Sequence, residues 1–222
     1  EVSEYFGWYK STVHNILCTL KSMEYLEQDE ETGKYRLGIQ IFNLSKALGD
    51  TYSITKIAGP YMQELSNYTG ERCYLAVPYR QEVLYLDAMY PADSIELMRS
   101  ILGERAQMHC TGLGKAMLAN MGEREISDYL EHHKLEAFTE NSIIDKKQFR
   151  EELLRTKQRG YALDDMEHEF GIKCIAMPVF DRTKNVYAAI SISGMANHFT
   201  DANIAEWAML LKKYIRKIES RL

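Results

Sequence analysis

The sequence has few cysteines, no long apolar run and no excess of positive charge, and each of these absences excludes a class of protein. Its four cysteines lie far apart without a CxxC pair. This spacing argues against a disulfide framework or a structural zinc site and favours the reducing cytoplasm. No stretch approaches the roughly 20 apolar residues that span a bilayer, so we expect no membrane partner. The net charge of −5 gives no general attraction to nucleic acid, so DNA binding would need a local surface.

The sequence also lacks a nucleophile elbow, paired catalytic acids and a phosphate-binding loop, so we expect no enzymatic activity and no cofactor. A cysteine nucleophile needs a lowered pKa and a base within reach. Cys174 instead lies in an apolar segment, where burial raises the pKa of a thiol. Together with Asp164, His109 and His168 it has the right chemistry for a metal, but the spacing is not that of a metal motif. We therefore predict no metal site and keep zinc only as a minor alternative.

The clearest strand signal lies between Gly160 and Gly194. Two apolar runs, Lys173–Phe180 and Val186–Ser193, flank a polar turn, which is typical of an antiparallel hairpin. In the second run Ser191 and Ser193 alternate with isoleucines, so a period of two places both hydroxyls on one face. That face meets either solvent or a pocket.

Residues 1–37 have the order of a winged helix-turn-helix: a helix tail that stops at Gly7, a helix over Lys10–Met23, and a hairpin around Gly33. The alternative is a small structural helix pair with a surface hairpin. Four basic residues against seven acidic ones predict weak binding by one copy, so a dimer would be needed. The predicted DNA-binding set is polar or basic: Lys10, Ser11, Thr12, His14 and Asn15 on the helix, and Lys34 and Arg36 on the hairpin.

The remaining segments alternate between helical and strand patterns. Residues 38–50 form either a linker helix or an ordinary packing helix. Glycines near Thr111 leave first-turn amides that suit a carboxylate, although close helix packing is a commoner reason for such glycines. Further helices are predicted at Ile54–Tyr68, at Glu123–Glu131, at Asp145–Arg159 with Asp145 as its N-cap, and at Thr200–Leu222. Another is opened by Thr111–Gly114 and continued by Lys115–Met121. Strands are predicted at Arg72–Pro78 and Glu82–Ala88, paired as a hairpin about Tyr79–Gln81, and at Ser94–Ser100.

Three segments resemble the IclR family of bacterial transcription regulators. KSTVHNILCTLKSMEYLEQDEETGKYRLG is similar to a family helix reading KSTVHRLL and a wing reading TGRYRLG. LGERAQMHCTGLGKAMLA and GYALDDMEHEFGIKCIAMPVF…AAISISG resemble the two effector-domain motifs of the family. The chain departs at Asn15, usually Arg, and at Trp8-Tyr9, commonly Leu-Pro, which affects the expected operator sequence rather than the binding mode. The resemblance also implies one further helix before Glu1.

The resemblance implies an α+β protein in three parts. These are a winged helix-turn-helix domain over residues 1–37, a linker helix over 38–50, and a GAF-like, profilin-like effector domain with a mainly antiparallel sheet over 51–222. The implied partners are double-stranded operator DNA, a small organic acid (a keto acid, sugar acid or aromatic acid) and further copies in a homodimer or homotetramer. Repression and activation stay open, as does a sensor module that acts through protein partners.

Carried over by motif, the ligand-binding residues are Thr111, Gly112, Leu113, Asp164, Cys174, Ser191 and Ser193. Backbone amides would take the ligand carboxylate, and the serines would bond its oxygens. An ionised Asp164 repels a simple carboxylate, so it meets a donor on the ligand or is protonated. This favours a hydroxylated acid or a hydrated keto acid.

Overall fold

The computed structural model describes residues 1–51, 54–92 and 101–222. The chain divides into two compact units, Glu1–Ser53 and Ile54–Leu222, which we call the N-terminal and C-terminal units. The strand predicted at Ser94–Ser100 lies outside the described residues. None of the described helices has the length and apolarity that a bilayer crossing needs.

The N-terminal unit confirms the predicted order of elements. Helix α1 (Val2–Phe6) ends at Gly7, whose left-handed φ of 66° suits a residue without a Cβ. Helix α2 (Lys10–Ser22) follows, then strands β1 (Leu26–Gln28) and β2 (Tyr35–Leu37), which pair antiparallel. Helix α3 (Gln40–Thr51) completes the unit and confirms the helix predicted over residues 38–50.

The described residues of the C-terminal unit form an antiparallel sheet of six strands. They are β3 (Arg72–Tyr79), β4 (Glu82–Met89), β5 (Arg105–Gln107), β6 (Ala162–Asp165), β7 (Ile172–Phe180) and β8 (Val186–Met195), in the order β5-β4-β3-β8-β7-β6. Both predicted hairpins, β3–β4 and β7–β8, are present. The three-residue strand β5 was too short to show a period in the sequence.

In the part of the chain that the structure describes, five α-helices cover the two faces of this sheet. Helices α4 (Ile54–Thr69) and α8 (Asp201–Glu219) pack against one face, and a short 3₁₀ turn (Ala196–His198) precedes α8. Helices α5 (Gly112–Leu118), α6 (Glu123–His132) and α7 (Lys146–Arg159) cover the other. Asp145 caps α7, as predicted, by accepting from the amides of Lys147 and Gln148. Helix α5 ends three residues before the predicted Met121.

The alternation in β8 separates the two faces as predicted. Ile190 and Ile192 are buried in the core between the sheet, α4 and α8. Ser191 and Ser193 point to the opposite face, where the fully buried helix α5 lies. The hydroxyl face of β8 is therefore the face on which a pocket is found.

Candidate functional site

A cavity of about 310 Å³ opens on the face of the sheet that carries Ser191 and Ser193, and we call it the serine cavity. Six of the seven predicted ligand-binding residues line it: Thr111, Leu113, Asp164, Cys174, Ser191 and Ser193. The other lining residues are Arg72, Tyr74, Tyr85, Ile101, Glu104, Arg105, Ala106, His168, Glu169 and Ile172. The structure thus brings together side chains that lie up to 121 positions apart in the chain.

Four lining residues form one row across the sheet. Asp164 on β6 pairs with Cys174 on β7, Cys174 pairs with Ser193 on β8, and Ser193 pairs with Arg72 on β3. Because directly paired residues project to the same face, all four side chains face the cavity. Three strand spacings separate the ends of the row, roughly 14 Å. An acidic group and a basic group therefore stand at opposite ends of a line of two small polar residues.

Two neighbouring groups hold the carboxylate of Asp164 in place. Its Oδ1 accepts the backbone N–H of Glu167 at 2.8 Å, and the Cys174 thiol lies 3.8 Å from its Oδ2. Only 5% of the residue is exposed, and this burial raises the pKa of Asp164 above its ordinary value. The opposing influence comes from the Glu167 amide, which favours the ionised form. Asp164 is therefore a hydrogen-bond acceptor whose ionised form is destabilised by burial.

The start of α5 differs in part from the prediction. The Thr111 side chain caps the helix by accepting from the Gly114 amide at 3.2 Å. That amide is already engaged by the cap, and binding of a ligand carboxylate by the other first-turn amides stays a prediction. Gly112 does not line the cavity either; a Cβ there would lie 2.6 Å from Cys174 Sγ. Its smallness allows α5 to pack closely on β7, which is the commoner role of a glycine in such a helix.

Sequence reasoning missed the aromatic and basic side of the cavity. Tyr74 on β3 and Tyr85 on β4 meet edge to face, with ring centroids 5.8 Å apart. The Tyr74 hydroxyl interacts with the guanidinium of Arg72. Alternation along β3 places Arg72 and Tyr74 on one face, but nothing local in the sequence shows that this face continues that of Ser191 and Ser193.

The cysteines do not have the environment of a nucleophile. Burial and the nearby Asp164 carboxylate raise the pKa of Cys174 well above its usual value, as predicted for a thiol in an apolar strand. Burial also raises the pKa of Cys110 to about 12, with the His168 ring nitrogen Nδ1 3.5 Å from its sulfur. His109 points elsewhere, to the carbonyl of Glu136 at 2.9 Å. Within the described ranges, no three His, Cys, Asp or Glu side chains come together as metal ligands.

In the N-terminal unit, all seven predicted DNA-binding side chains are exposed: Lys10, Ser11, Thr12, His14 and Asn15 on α2, and Lys34 and Arg36 on the hairpin. Arg36 is paired across the hairpin with Glu27, at 2.6 Å from its terminal nitrogen and 2.8 Å from Nε. The His14 ring contacts Cys18 on the next turn of α2, at 3.5 Å. The helix thus presents a polar surface, whereas one of the two hairpin cations is already engaged.

Comparison with known proteins identifies the family. A model described as bacterial transcriptional regulator IclR C-terminal matches residues 47–220. The chain belongs to the IclR family. The HTH-type transcriptional regulator XynR of Escherichia coli K12 is 31% identical over 96% of this chain and 84% of its own length. Further relatives are named repressors. The protein is accordingly a transcription regulator and not an enzyme.

Solved structures agree with the IclR assignment. The crystal structure of the Thermotoga maritima IclR aligns with all of this chain over 89% of its own length, at a TM-score of 0.82 and 29% identity. An IclR homologue from Microbacterium hydrocarbonoxydans, crystallised with 4-hydroxybenzoate, covers 99% of this chain and 88% of its own, at a TM-score of 0.86 and 22% identity. The first likeness supports the family, and the second shows the shared fold.

Proposed function

We propose that this IclR-family regulator binds a hydroxylated organic acid in the serine cavity, and that the bound acid changes its affinity for operator DNA. The observation that carries this proposal is the row Arg72–Ser193–Cys174–Asp164, which has opposite charges at its two ends. A ligand that spans such a row needs an anionic end and a hydrogen-bond donor at the other end.

In this proposal the charges of the cavity favour one orientation of the ligand. Its carboxylate lies toward Arg72, because a guanidinium binds a carboxylate through two parallel hydrogen bonds, whereas the Asp164 carboxylate repels one. Its hydroxyl donates to Asp164, and the hydroxyls of Ser191 and Ser193 bond the oxygens between the two ends. The acidic side chains of Glu104 and Glu169 also line the cavity and disfavour a ligand with two carboxylates.

The apolar part of the cavity favours a particular carbon skeleton in the ligand. Tyr74, Tyr85, Ile101 and Leu113 present rings and aliphatic carbons, which suit an aromatic or compact carbon skeleton. The homologous structure with 4-hydroxybenzoate, an acid with a hydroxyl at the far end of a ring, shares this fold. We use 4-hydroxybenzoate as a probe of the chemical class, together with keto and sugar acids.

The DNA-binding part of the proposal rests on the N-terminal unit. Helix α2 follows the tight turn at Gly7 and presents exposed polar side chains, among them Ser11, Thr12 and Asn15. Such side chains contact base edges when a recognition helix enters the major groove. Because residues 1–37 carry more acidic than basic groups, a homodimer or homotetramer that places two such helices on one duplex is required.

Coupling between acid and DNA requires that the acid bind one state of the assembly better than the other. By linkage, DNA then changes the affinity for the acid by the same factor. We therefore expect operator DNA and effector to shift each other's apparent dissociation constants equally, which calorimetry in both orders would measure.

Fluorescence anisotropy tests the whole proposal. DNA from beside the gene is titrated with the protein, with excess nonspecific competitor, in the presence and absence of each acid. We expect binding that resists competitor and shifts with a hydroxylated acid, and loss of that shift in Ser191→Ala/Asp164→Ala. Ser220→Ala, a surface change at the end of α8, is the control. Specific binding that no acid shifts would remove the effector proposal, and absence of binding at low salt would favour a sensor module acting through protein partners.

A further inference from the structure

A second cavity, of about 340 Å³, lies at the opposite end of α5 from Thr111 and Leu113, and we call it the turn cavity. Its floor includes Met108, Leu118 and Tyr129, each almost fully buried. Its lining includes residues of the β3–β4 and β7–β8 turns. Among the described residues, none lines both this cavity and the serine cavity.

Two turns at the same end of the sheet place basic side chains at this cavity. Strands β3 and β8 are antiparallel neighbours, so the turn after β3 and the turn before β8 lie side by side. Arg80 belongs to the first turn and Lys184 to the second, and both line the cavity. Each has a positive φ, 52° and 67°, a conformation that side chains other than glycine seldom adopt.

The residues of the β3–β4 turn are unusual for its geometry. Arg80 and Gln81 join Tyr79 to Glu82 as a two-residue loop, and both have positive φ. Asn-Gly or a similar pair is usual in such a turn, because these residues tolerate the conformation. Gln81 is instead held by a hydrogen bond from its side-chain amide to Asp128 on α6. The chain thus places long polar side chains here at a conformational cost.

The facing side of the turn cavity is acidic. Glu125 and Asp128, three residues apart on α6, both line it. The bond between Gln81 and Asp128 shows that this face of α6 opposes the β3–β4 turn. Glu125 also accepts the Gly122 amide at 2.9 Å, which caps the helix. The cavity therefore has a basic wall, an acidic wall and an apolar floor.

We propose that the turn cavity binds an α-amino acid with an apolar side chain. Its carboxylate faces Arg80 and Lys184, its ammonium faces Glu125 and Asp128, and its side chain rests on Met108 and Leu118. A simple anion would meet repulsion from the two acids, and a simple amine would meet repulsion from the two cations. Only a zwitterion satisfies both walls, and the apolar floor favours a hydrocarbon side chain over a polar one.

The turn cavity also has a short physical connection to the serine cavity. Met108 on its floor lies against Gly114 of α5, where an added Cβ would be 2.3 Å from the Met108 Cα. The amide of the same Gly114 bonds Thr111, which lines the serine cavity. Both cavities are therefore lined in part by the same seven-residue helix.

Titration calorimetry on the DNA-free protein tests this proposal with L-leucine as the probe. We expect saturable binding that weakens about tenfold in Lys184→Asn, because asparagine removes the charge yet tolerates the left-handed backbone. The matched control is Arg182→Asn, on the same turn but not lining the cavity. 4-Methyl-2-oxopentanoate, which lacks the ammonium, and 3-methylbutylamine, which lacks the carboxylate, should each bind at least about tenfold more weakly than leucine.

Three results would overturn the proposal. The first is the absence of saturable binding heat when leucine, methionine or phenylalanine is titrated at concentrations up to about 10 mM. The second is equal binding of leucine and its oxo acid, or leucine binding that Lys184→Asn does not change. The third is loss of leucine binding in Ser191→Ala, which would place the amino acid in the serine cavity. The readout is independent of DNA binding, so it does not depend on the proposed effector response.

Discussion

Lys115 and Glu167 form an ion pair inside the C-terminal unit. Lys115 on α5 has no exposed surface, and Glu167 is 4% exposed. The second carboxylate oxygen of Glu167 is buried and has no hydrogen-bond partner among the residues that the structure describes. The backbone N–H of Glu167 donates to Asp164 at 2.8 Å. The pair thus joins α5 to the segment after β6, and that segment supplies an acid and an imidazole to the serine cavity.

Removing one partner of this pair should destabilise the protein more than removing both. Lys115→Met leaves the Glu167 carboxylate buried without its counter-charge, which costs about 3–5 kcal/mol. Lys115→Met/Glu167→Leu replaces the pair with apolar side chains and should recover most of that loss. Urea unfolding measures the free energies. A double variant no more stable than the single one would contradict the prediction.

Stability should fall as pH rises through neutrality because of the same glutamate. Burial outweighs the Lys115 ammonium and raises the pKa of Glu167 from 4.5 to about 7. Since the folded-state pKa exceeds the unfolded one, the stability due to the protonated form is complete below pH 4.5 and is lost as pH rises through about 7. Glu167→Gln removes this titration, so its unfolding free energy should depend less on pH across that window. If the unfolding free energies of Glu167→Gln and of the unmodified protein changed with pH in parallel, the prediction would be wrong.

Gly112→Ala should be destabilising in a way that a second substitution relieves. An added Cβ at Gly112 lies 2.6 Å from Cys174 Sγ, so we expect a loss of about 1–3 kcal/mol. In the Cys174→Ala background the same change should cost much less, because the sulfur is gone. Gly114→Ala is the contrast, since its Cβ meets the Met108 backbone and Cys174→Ala does not relieve it. Thermal unfolding of Cys174→Ala and of the two glycine variants, each alone and combined with Cys174→Ala, decides between these outcomes.

Asp164→Asn should change the selectivity of the serine cavity between 4-hydroxybenzoate and benzoate. The hydroxyl of the first donates to the Asp164 carboxylate in our proposal, and a hydrogen bond to a charged group is worth about 2 kcal/mol. Benzoate lacks that donor, so the Asp164 carboxylate only repels it. The variant should therefore bind 4-hydroxybenzoate more weakly and benzoate more tightly, as calorimetry would measure. Equal effects on both acids would refute the orientation.

The two basic residues Lys10 and Arg36 should contribute unequally to DNA binding. Lys10→Ala should weaken binding to all sequences and lower the salt slope by about one. Arg36→Ala should have a smaller effect, because Glu27 already pairs with Arg36. Glu27→Gln removes that competitor and should strengthen binding. Anisotropy titrations at several salt concentrations test all three, and identical slopes for Lys10→Ala and the unmodified protein would exclude Lys10 from the phosphate contacts.

Much of the secondary structure could be predicted from the sequence because its signals are local. Alternation from Ile190 to Ser193 separated a core face from a polar face, and the structure confirms it. Asp145 indicated where α7 begins, since a carboxylate cap bonds amides only two and three residues away. The long family motifs identified seven candidate residues, and six of them line one cavity in the structure. These features depend on neighbours along the chain or on a recognisable pattern of residues.

The tertiary structure alone decided which residues face one another. Arg72 lies in line with Asp164 only because β3 pairs with β8, β8 with β7, and β7 with β6 in one register. A shift of one residue in any pair would turn a whole strand over. Lys115 looks like an ordinary helix residue, but packing buries it and requires Glu167 beside it. Register and burial are set by the packing of distant segments, and no local pattern in the chain encodes them.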